Sequence, residues 1–167
     1  MRIAIYPGTF DPITYGHIDV VKRASEIFDN VIVAVATNSS KQPLFTTEER
    51  IKLITNVVKK FPNVSVDSFQ GLLVDYGKKK KAIAIVRGLR AVSDFEYEFQ
   101  MALTNRKLDG DITTVFLMPH ERYTYLNSTI VREIALFGGD ISGFVPRVIQ
   151  KALQKKAREV SKSRPPQ

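Results

Sequence analysis

The segment best suited to chemistry follows the first apolar run of the chain, and its sequence is Tyr6-Pro7-Gly8-Thr9-Phe10-Asp11-Pro12-Ile13-Thr14-Tyr15-Gly16-His17. A loop rich in glycine and proline ends there at the start of an amphipathic helical pattern. Free backbone N–H groups and the positive end of a helix dipole are therefore expected to face whatever lies above the strand, which favours a phosphate. His17, on the first helical turn, would face the same anion. For an isolated Gly-His pair, a turn followed by a surface histidine is the plainer alternative.

Cations and hydroxyl groups follow other apolar runs. Lys41 lies after the run at 31–36, and Arg87 and Arg90 follow the run at 82–86. Later in the chain, Ser128 and Thr129 open a helical pattern, where hydroxyls and free N–H groups can hold phosphates. Ser128 as an ordinary N-cap is the alternative. The formal net charge of +8 favours polyanionic partners, but charge alone does not choose between nucleic acid, an anionic membrane and a phosphorylated small molecule.

Short apolar runs predict the strands that position these residues. Four runs, 3–5, 31–36, 82–86 and 115–118, lack alternation, as strands covered by helices on both faces require, and 64–69 is a weaker candidate. The helical patterns between them lie at 16–29, from a capping box at Thr46 and Glu49, at 71–80, from a second box at Ser93 and Glu96, at 128–138 and at 146–160. Phe95, Phe99, Ala102, Leu103 and Leu108 form the apolar pattern of the fourth helix.

This alternation predicts a Rossmann-like, doubly wound, five-stranded parallel sheet with helices on both faces. Its ligand site should lie beyond the carboxyl ends of the strands. The length of 167 residues predicts a single domain over 1–160, followed by a basic, proline-containing tail at 161–167 that we expect to be flexible.

Composition excludes several classes of protein. The chain has no cysteine, which removes thiol nucleophiles, disulfide frameworks and iron–sulfur clusters. No apolar run approaches the roughly 20 residues that span a bilayer, and the first run ends at a Pro-Gly turn too early for a signal peptide, so we expect a cytoplasmic protein. The segment from Gly71 to Lys79 has the wrong spacing for a P-loop and lacks the hydroxyl residue after its lysine.

The loop after the first run resembles the GTFDPxTxGH motif of the nucleotidylyltransferase superfamily, whose T/HxGH element is here Thr14-Tyr15-Gly16-His17. Three further segments occur in the same order as in one family of that superfamily, the bacterial phosphopantetheine adenylyltransferases. They are Arg87-Gly88-Leu89-Arg90, Asp94-Phe95-Glu96-Tyr97-Glu98 and Tyr125-Leu126-Asn127-Ser128-Thr129-Ile130-Val131-Arg132. Thr14, where many relatives have a first histidine, fits this family and argues against the nicotinate mononucleotide and glycerol-phosphate branches. Asn127 departs from the serine-rich pattern of the family.

The resemblance implies transfer of AMP from ATP to 4′-phosphopantetheine, which yields dephospho-coenzyme A and pyrophosphate. It implies catalytic roles for His17, Lys41 and Arg90. The nucleotide-binding residues that it implies are Thr9, Phe10, His17, Gly88, Leu89, Arg90, Glu98, Tyr123, Thr124, Tyr125, Leu126, Asn127, Ser128 and Thr129. Those that it implies for the acceptor are Thr9, Lys41, Leu73, Arg87, Asn105 and Glu133. Taken alone, Leu73 is most simply a core residue.

Partners and cofactors follow from the same resemblance. Mg²⁺ is expected, held mainly by ATP phosphates and water, since no cluster of acidic residues has the pattern of a metal site. The resemblance suggests a homohexamer that binds neither nucleic acid nor a membrane. Two alternatives stay open: a related nucleotidyltransferase with another phosphorylated acceptor, and a non-catalytic nucleic-acid-binding protein that uses the basic tail.

Overall fold

The computed structural model describes residues 1–37, 43–90 and 92–163, with the backbone alone described at 92, 93 and 161–163. Within these residues, strands and helices alternate along the chain. The strands are β1 (Ile3–Gly8), β2 (Asn30–Ala36), β3 (Val64–Phe69), β4 (Ala84–Gly88) and β5 (Thr113–Leu117). The helices are α1 (Tyr15–Ile27), α2 (Thr47–Val58), α3 (Leu73–Lys79), α4 (Val92–Leu108), α5 (Ser128–Leu136) and α6 (Arg147–Ser163), with a short 3₁₀ helix, η1 (Glu121–Tyr123), after β5.

The five strands form one parallel sheet in the order β3-β2-β1-β4-β5. The chain begins in the centre of the sheet, builds outward through β2 and β3, and then returns to place β4 on the other side of β1. The order therefore reverses between β1 and β4, which is where ligands bind in sheets of this kind. The predicted fold class is confirmed. The topology is also consistent with the prediction that the site lies beyond the carboxyl ends of the strands.

Alternate residues of the central strands face different helices. Ala4 and Tyr6 of β1 belong to the larger core cluster, which includes residues of α1, α2, α5 and α6. Ile5, between them, packs on the other face with Tyr76 of α3. Because the buried strands are apolar on both faces, they lack the alternation that a half-exposed sheet shows.

Helix α4 is less buried than its apolar pattern suggested. Phe95, Phe99 and Leu103 are 45%, 47% and 50% exposed, although α4 packs on α3 and β5. The physical reason is that apolar residues are distributed around the whole of α4, so one neighbouring layer cannot cover them all. The predicted cap is also wrong, because α4 begins at Val92 and Ser93 already lies within it.

Other helix ends are close to their predicted positions. The capping box of α2 is confirmed: Thr46 Oγ1 accepts from the Glu49 N–H at 3.2 Å, and Glu49 Oε2 accepts from the Thr46 N–H at 2.9 Å. Helix α5 ends at Leu136, two residues early, followed by Gly138 with a φ of 78°. Helix α6 runs to Ser163, beyond the predicted end at 160. No described helix is long and apolar enough to span a bilayer.

Candidate active site

The loop between β1 and α1 is organised by the ring of Phe10. Phe10 has a φ of 49°, and its ring lies over Gly8, where an added Cβ would come within 2.8 Å of the ring. A side chain at position 8 would therefore have to displace the Phe10 ring, which glycine leaves in place. The Phe10 ring also meets the rings of Tyr6 and His17 edge to face, each with centroids 5.2 Å apart. These contacts connect the end of β1 to the first turn of α1.

The carboxylate of Asp11 joins this loop to two other segments. Asp11 is 1% exposed, and its oxygens accept from the backbone N–H groups of Leu44 at 2.8 Å and Phe45 at 3.0 Å. Arg132 Nη1 donates to Asp11 Oδ2 at 2.7 Å and to its carbonyl oxygen at 2.6 Å. The loop, the chain leading into α2 and the start of α5 are thus fixed to one buried group. Sequence analysis assigned Asp11 no role.

A second buried polar residue, Arg50, was missed altogether. Its side chain donates to the carbonyl oxygens of Thr9 at 2.8 Å and Ala36 at 3.3 Å. It is 2% exposed, and burial lowers its pKa, although the charge of Asp11 opposes that shift. An arginine within the apolar face of α2 was the available signal. Arg50 holds Thr9 in place from beneath the loop.

His17 completes the N-terminus of α1. Its Nδ1 accepts from the backbone N–H of Thr14 at 3.1 Å, and Thr14 Oγ1 accepts from the His17 N–H at 3.5 Å. This is a capping box in which histidine occupies the position usually held by Glu or Gln. The Tyr15 N–H is bound to the Phe144 carbonyl oxygen at 3.0 Å. The N–H groups of Tyr15 and His17 are therefore satisfied within the protein and are not free for an anion, whereas Gly16, between them, lines the cavity described below.

The half-buried imidazole of His17 is neutral at pH 7. Burial, followed by the positive charges of Arg90 and Arg87, lowers its pKa to about 4. Since Nδ1 accepts from Thr14, the proton of the neutral ring lies on Nε2. His17 thus presents an uncharged N–H donor with a fixed orientation.

Three arginine–carboxylate pairs surround the cavity next to His17. Arg132 pairs with Asp11, Arg90 Nε with Asp94 Oδ2 at 3.3 Å, and Arg87 Nη2 with Glu98 Oε1 at 2.6 Å. Arg90 also donates to the carbonyl oxygen of Leu126. Each guanidinium is therefore held in place by partners that leave other N–H groups for a ligand.

This first cavity has a volume of about 360 Å³ and lies at the carboxyl ends of β1 and β4. It brings together most of the residues that the resemblance implied for a nucleotide. They are Thr9, Phe10, His17, Gly88, Arg90, Glu98, Leu126, Asn127, Ser128 and Thr129. Leu89, Tyr123, Thr124 and Tyr125 do not line it; the side chain of Tyr125 is exposed and contacts Phe144.

A second cavity of about 510 Å³ shares one wall with the first. Pro7, Gly8, Thr9, Arg87 and Glu98 line both cavities. The second is otherwise largely apolar, and it contains Leu73 and Asn105 of the predicted acceptor residues. Glu133 is exposed on α5 and lines neither cavity, while Lys41 lies outside the described residues.

Ser128 is not the N-cap of α5, although an ordinary N-cap was the plainer alternative for this residue. Asn127 is the N-cap, since its Oδ1 accepts from the Thr129 N–H at 2.8 Å. Ser128 is the first helical residue, and its hydroxyl donates to the Pro12 carbonyl oxygen at 2.8 Å. Asn127, which departs from the serine-rich pattern, is thus suited to its position because asparagine is a strong N-cap.

A cytidylyltransferase-like family model matches residues 5–134. The phosphopantetheine adenylyltransferase of Caldanaerobacter subterraneus subsp. tengcongensis is 57% identical over 159 residues, which cover 95% of this chain and 99% of that protein. The protein of the same name from Alkaliphilus metalliredigens is 55% identical over 157 residues, which cover 94% of this chain and all of that protein.

The fold has solved counterparts at much lower identity. A bifunctional NMN adenylyltransferase/ADP ribose pyrophosphatase from Francisella tularensis, solved with AMP and a manganese ion, has a TM-score of 0.71 at 15% sequence identity. The match covers 95% of this chain and 51% of that one. At this identity, the likeness supports the fold alone.

Because folding lowers the pKa of His17, we expect this residue to make the free energy of unfolding depend on pH. The unfolded chain protonates His17 near its ordinary pKa of 6.5, whereas the folded chain does so only near 4. The unfolded state thus gains its proton first as the pH falls, so this residue should lower the free energy of unfolding between pH 6.5 and 4, by at most about 3 kcal/mol. In denaturant unfolding at several pH values, His17→Gln, which keeps all the acidic residues, should lose less free energy of unfolding over this pH range than the wild type does. Equal pH profiles, or an NMR titration of His17 near pH 6.5, would contradict the assignment.

Proposed function

Because the chain belongs to the cytidylyltransferase-like family and, within it, to the phosphopantetheine adenylyltransferases, we propose that it transfers an adenylyl group reversibly from ATP to 4′-phosphopantetheine. A phosphate oxygen of the acceptor forms a bond to the α-phosphorus of ATP, and the bond from that phosphorus to the bridging oxygen breaks. The products are dephospho-coenzyme A and pyrophosphate. The acceptor is a phosphate monoester that is already ionised at neutral pH, so no general base is needed to generate the nucleophile.

The pair of adjoining cavities is the observation that carries this proposal. In-line transfer requires two bound molecules whose reacting phosphates meet at one point. Thr9, Arg87 and Glu98 line both cavities, so this shared wall is where such phosphates would meet. The first cavity has arginines and hydroxyl groups suited to a triphosphate. The second, with its apolar walls, suits the uncharged arm of pantetheine, which Leu73 and Asn105 would line.

His17 is proposed to donate its Nε2–H to the α-phosphate. A neutral donor stabilises the charge that develops there without transferring a proton, and no covalent intermediate forms. The Thr14 N–H holds the opposite ring nitrogen, so the donor is oriented before substrate arrives. Arg90, Arg132, Ser128 and Thr129 are proposed to bind the other phosphates of ATP, and Arg87 and Lys41 the acceptor phosphate.

Mg²⁺ is proposed to enter as the complex with ATP. Among the described residues, no three His, Cys, Asp or Glu side chains are grouped as a metal site would require. The carboxylates that line the first cavity, Asp11, Asp94 and Glu98, are each paired with an arginine. This donor set supports an ion held by phosphate oxygens and water, whose charge would offset that of the triphosphate.

The proposed function predicts a nucleotide preference. Incubation with ATP, Mg²⁺ and 4′-phosphopantetheine should release pyrophosphate and dephospho-coenzyme A, and CTP or GTP should support much slower turnover. Pyrophosphate release and product mass provide the measurements. Equal turnover with CTP would contradict an adenylyl donor. Activity confined to another phosphorylated acceptor would support the related-transferase alternative instead.

We further propose a cytoplasmic homohexamer. The exposed apolar residues of α4, which include Phe95, Phe99 and Leu103, support association through this helix, since neighbouring exposed apolar side chains are typical of a surface that another protein covers. Sedimentation velocity should give the mass of six chains, and Phe99→Glu should lower it because a charge would be buried at the contact. A monomer at micromolar concentration would contradict the proposal.

Replacement of His17 by alanine should lower kcat about 10²- to 10³-fold, with KM for both substrates changed much less. The reason is that the donor acts mainly when charge develops on the α-phosphate in the transition state. Steady-state pyrophosphate release and calorimetric binding of ATP measure the two effects. His120→Ala is the matched control, because that histidine is exposed and lines neither cavity. Near-wild-type kcat for His17→Ala would remove His17 from the mechanism.

A further inference from the structure

The side chain of Arg87 is held by three hydrogen bonds in the wall between the two cavities. Its Nε donates to Glu98 Oε2 at 2.7 Å and its Nη2 to Glu98 Oε1 at 2.6 Å. Its Nη1 donates to the carbonyl oxygen of Pro7 at 3.0 Å. Glu98 lies on α4 and Pro7 on β1, so the guanidinium of a β4 residue is fixed from both sides.

These contacts leave two N–H groups of Arg87 available for a ligand. A guanidinium has five N–H groups, one on Nε and two on each terminal nitrogen. Three are used, one on each nitrogen, so one N–H remains on Nη1 and one on Nη2. Two such donors on adjacent nitrogens match two oxygens of a phosphate.

Arg87 also has a special place in the second cavity. It is the sole Lys or Arg among the described residues that line this cavity, whose other walls include Phe69, Leu72, Leu73 and Met101. The anionic end of a ligand in this cavity would therefore meet the remaining N–H pair of Arg87. The orientation of that pair then decides where the anion is held.

We propose that Glu98 is a positioning residue that fixes the guanidinium of Arg87, so that its two remaining terminal N–H groups bind the phosphate of the acceptor at the shared wall. Glu98 acts on the acceptor through Arg87, although it also lines the first cavity. This proposal rests on the proposed function, because it takes a phosphorylated acceptor as the occupant of the second cavity.

The geometry favours a permanent clamp over a carboxylate that the incoming phosphate displaces. The side chain of Glu98 is 10% exposed, and both of its oxygens accept from Arg87. Release from Arg87 would leave a buried carboxylate without a partner, which is strongly unfavourable. Burial lowers the pKa of Arg87, but the hydrogen bonds and the negative charge of Glu98 outweigh that effect and raise it, so the guanidinium stays ionised while a phosphate binds.

The test is a kinetic comparison of Glu98→Gln with wild type. Glutamine keeps the size of the side chain but cannot accept from both Nε and Nη2, so KM for 4′-phosphopantetheine should rise about tenfold or more. KM for ATP should change less than twofold. Glu96→Gln, an exposed residue of the same helix, is the matched control, and thermal unfolding verifies that each variant is folded. A comparable rise in KM for ATP would overturn the proposal, as would a lower KM for the acceptor, which would mean that Glu98 merely neutralises Arg87.

A double-mutant cycle separates positioning from a purely structural effect. Lysine at position 87 has no bidentate face for Glu98 to hold, so Glu98→Gln should have little further effect on the acceptor KM in an Arg87→Lys background. The same fold-change in both backgrounds would show that Glu98 does not act through Arg87, and would overturn the proposal.

A direct measurement keeps this inference distinct from the proposed function. If the wild-type protein does not consume ATP with 4′-phosphopantetheine, the proposed function fails, and inorganic phosphate then probes Arg87 on its own. In ¹⁵N-labelled protein the Arg87 Nε–H signal should stay protected from exchange as phosphate is added, and should lose that protection in Glu98→Gln. Loss of protection in the wild type on phosphate addition would mean that Glu98 is displaced, and the clamp would be refuted.

Discussion

The arrangement of the site depends on the buried contact between Asp11 and Arg132, residues 121 positions apart in the chain. One carboxylate there satisfies two backbone N–H groups of the segment before α2 and the guanidinium of an α5 residue. Three elements that approach the end of β1 from different directions are therefore fixed relative to one another. Removing either charge would leave the other buried without its partner, which is far more costly than the pair itself is stabilising.

The same use of carboxylates recurs at Arg87 and Arg90. Three arginines without acidic partners in one cavity would repel one another, and their long side chains would be free to move away. Pairing each with Asp or Glu limits the repulsion and holds the guanidinium, while the remaining N–H groups stay directed at a ligand. The donors are thus arranged before any phosphate arrives, which is the arrangement that electrostatic catalysis requires.

The strands and the edge of the sheet could be predicted because both depend on local pattern and on the rule that parallel strands end together. The long-range contacts could not be predicted from the sequence. Arg50 meets Thr9 across 41 residues, and no spacing rule connects them. Thr14 and His17 were spaced as a capping box, yet the usual pattern has Glu or Gln at the third position. The exposure of α4 also could not be predicted from local pattern, since apolar residues around a helix do not say which of them the rest of the chain will cover.

The electrostatics of the site explain why a histidine is suited to position 17. Burial and then the charges of Arg90 and Arg87 lower its pKa, because a cation there would lose its hydration and be repelled by two neighbours. A neutral imidazole avoids both costs and still offers an N–H. Its second nitrogen accepts from the Thr14 N–H, which sets the tautomer and the direction of the donor together. The arginines therefore supply charge while His17 supplies orientation, and the capping box of α1 makes that orientation a consequence of how the helix begins.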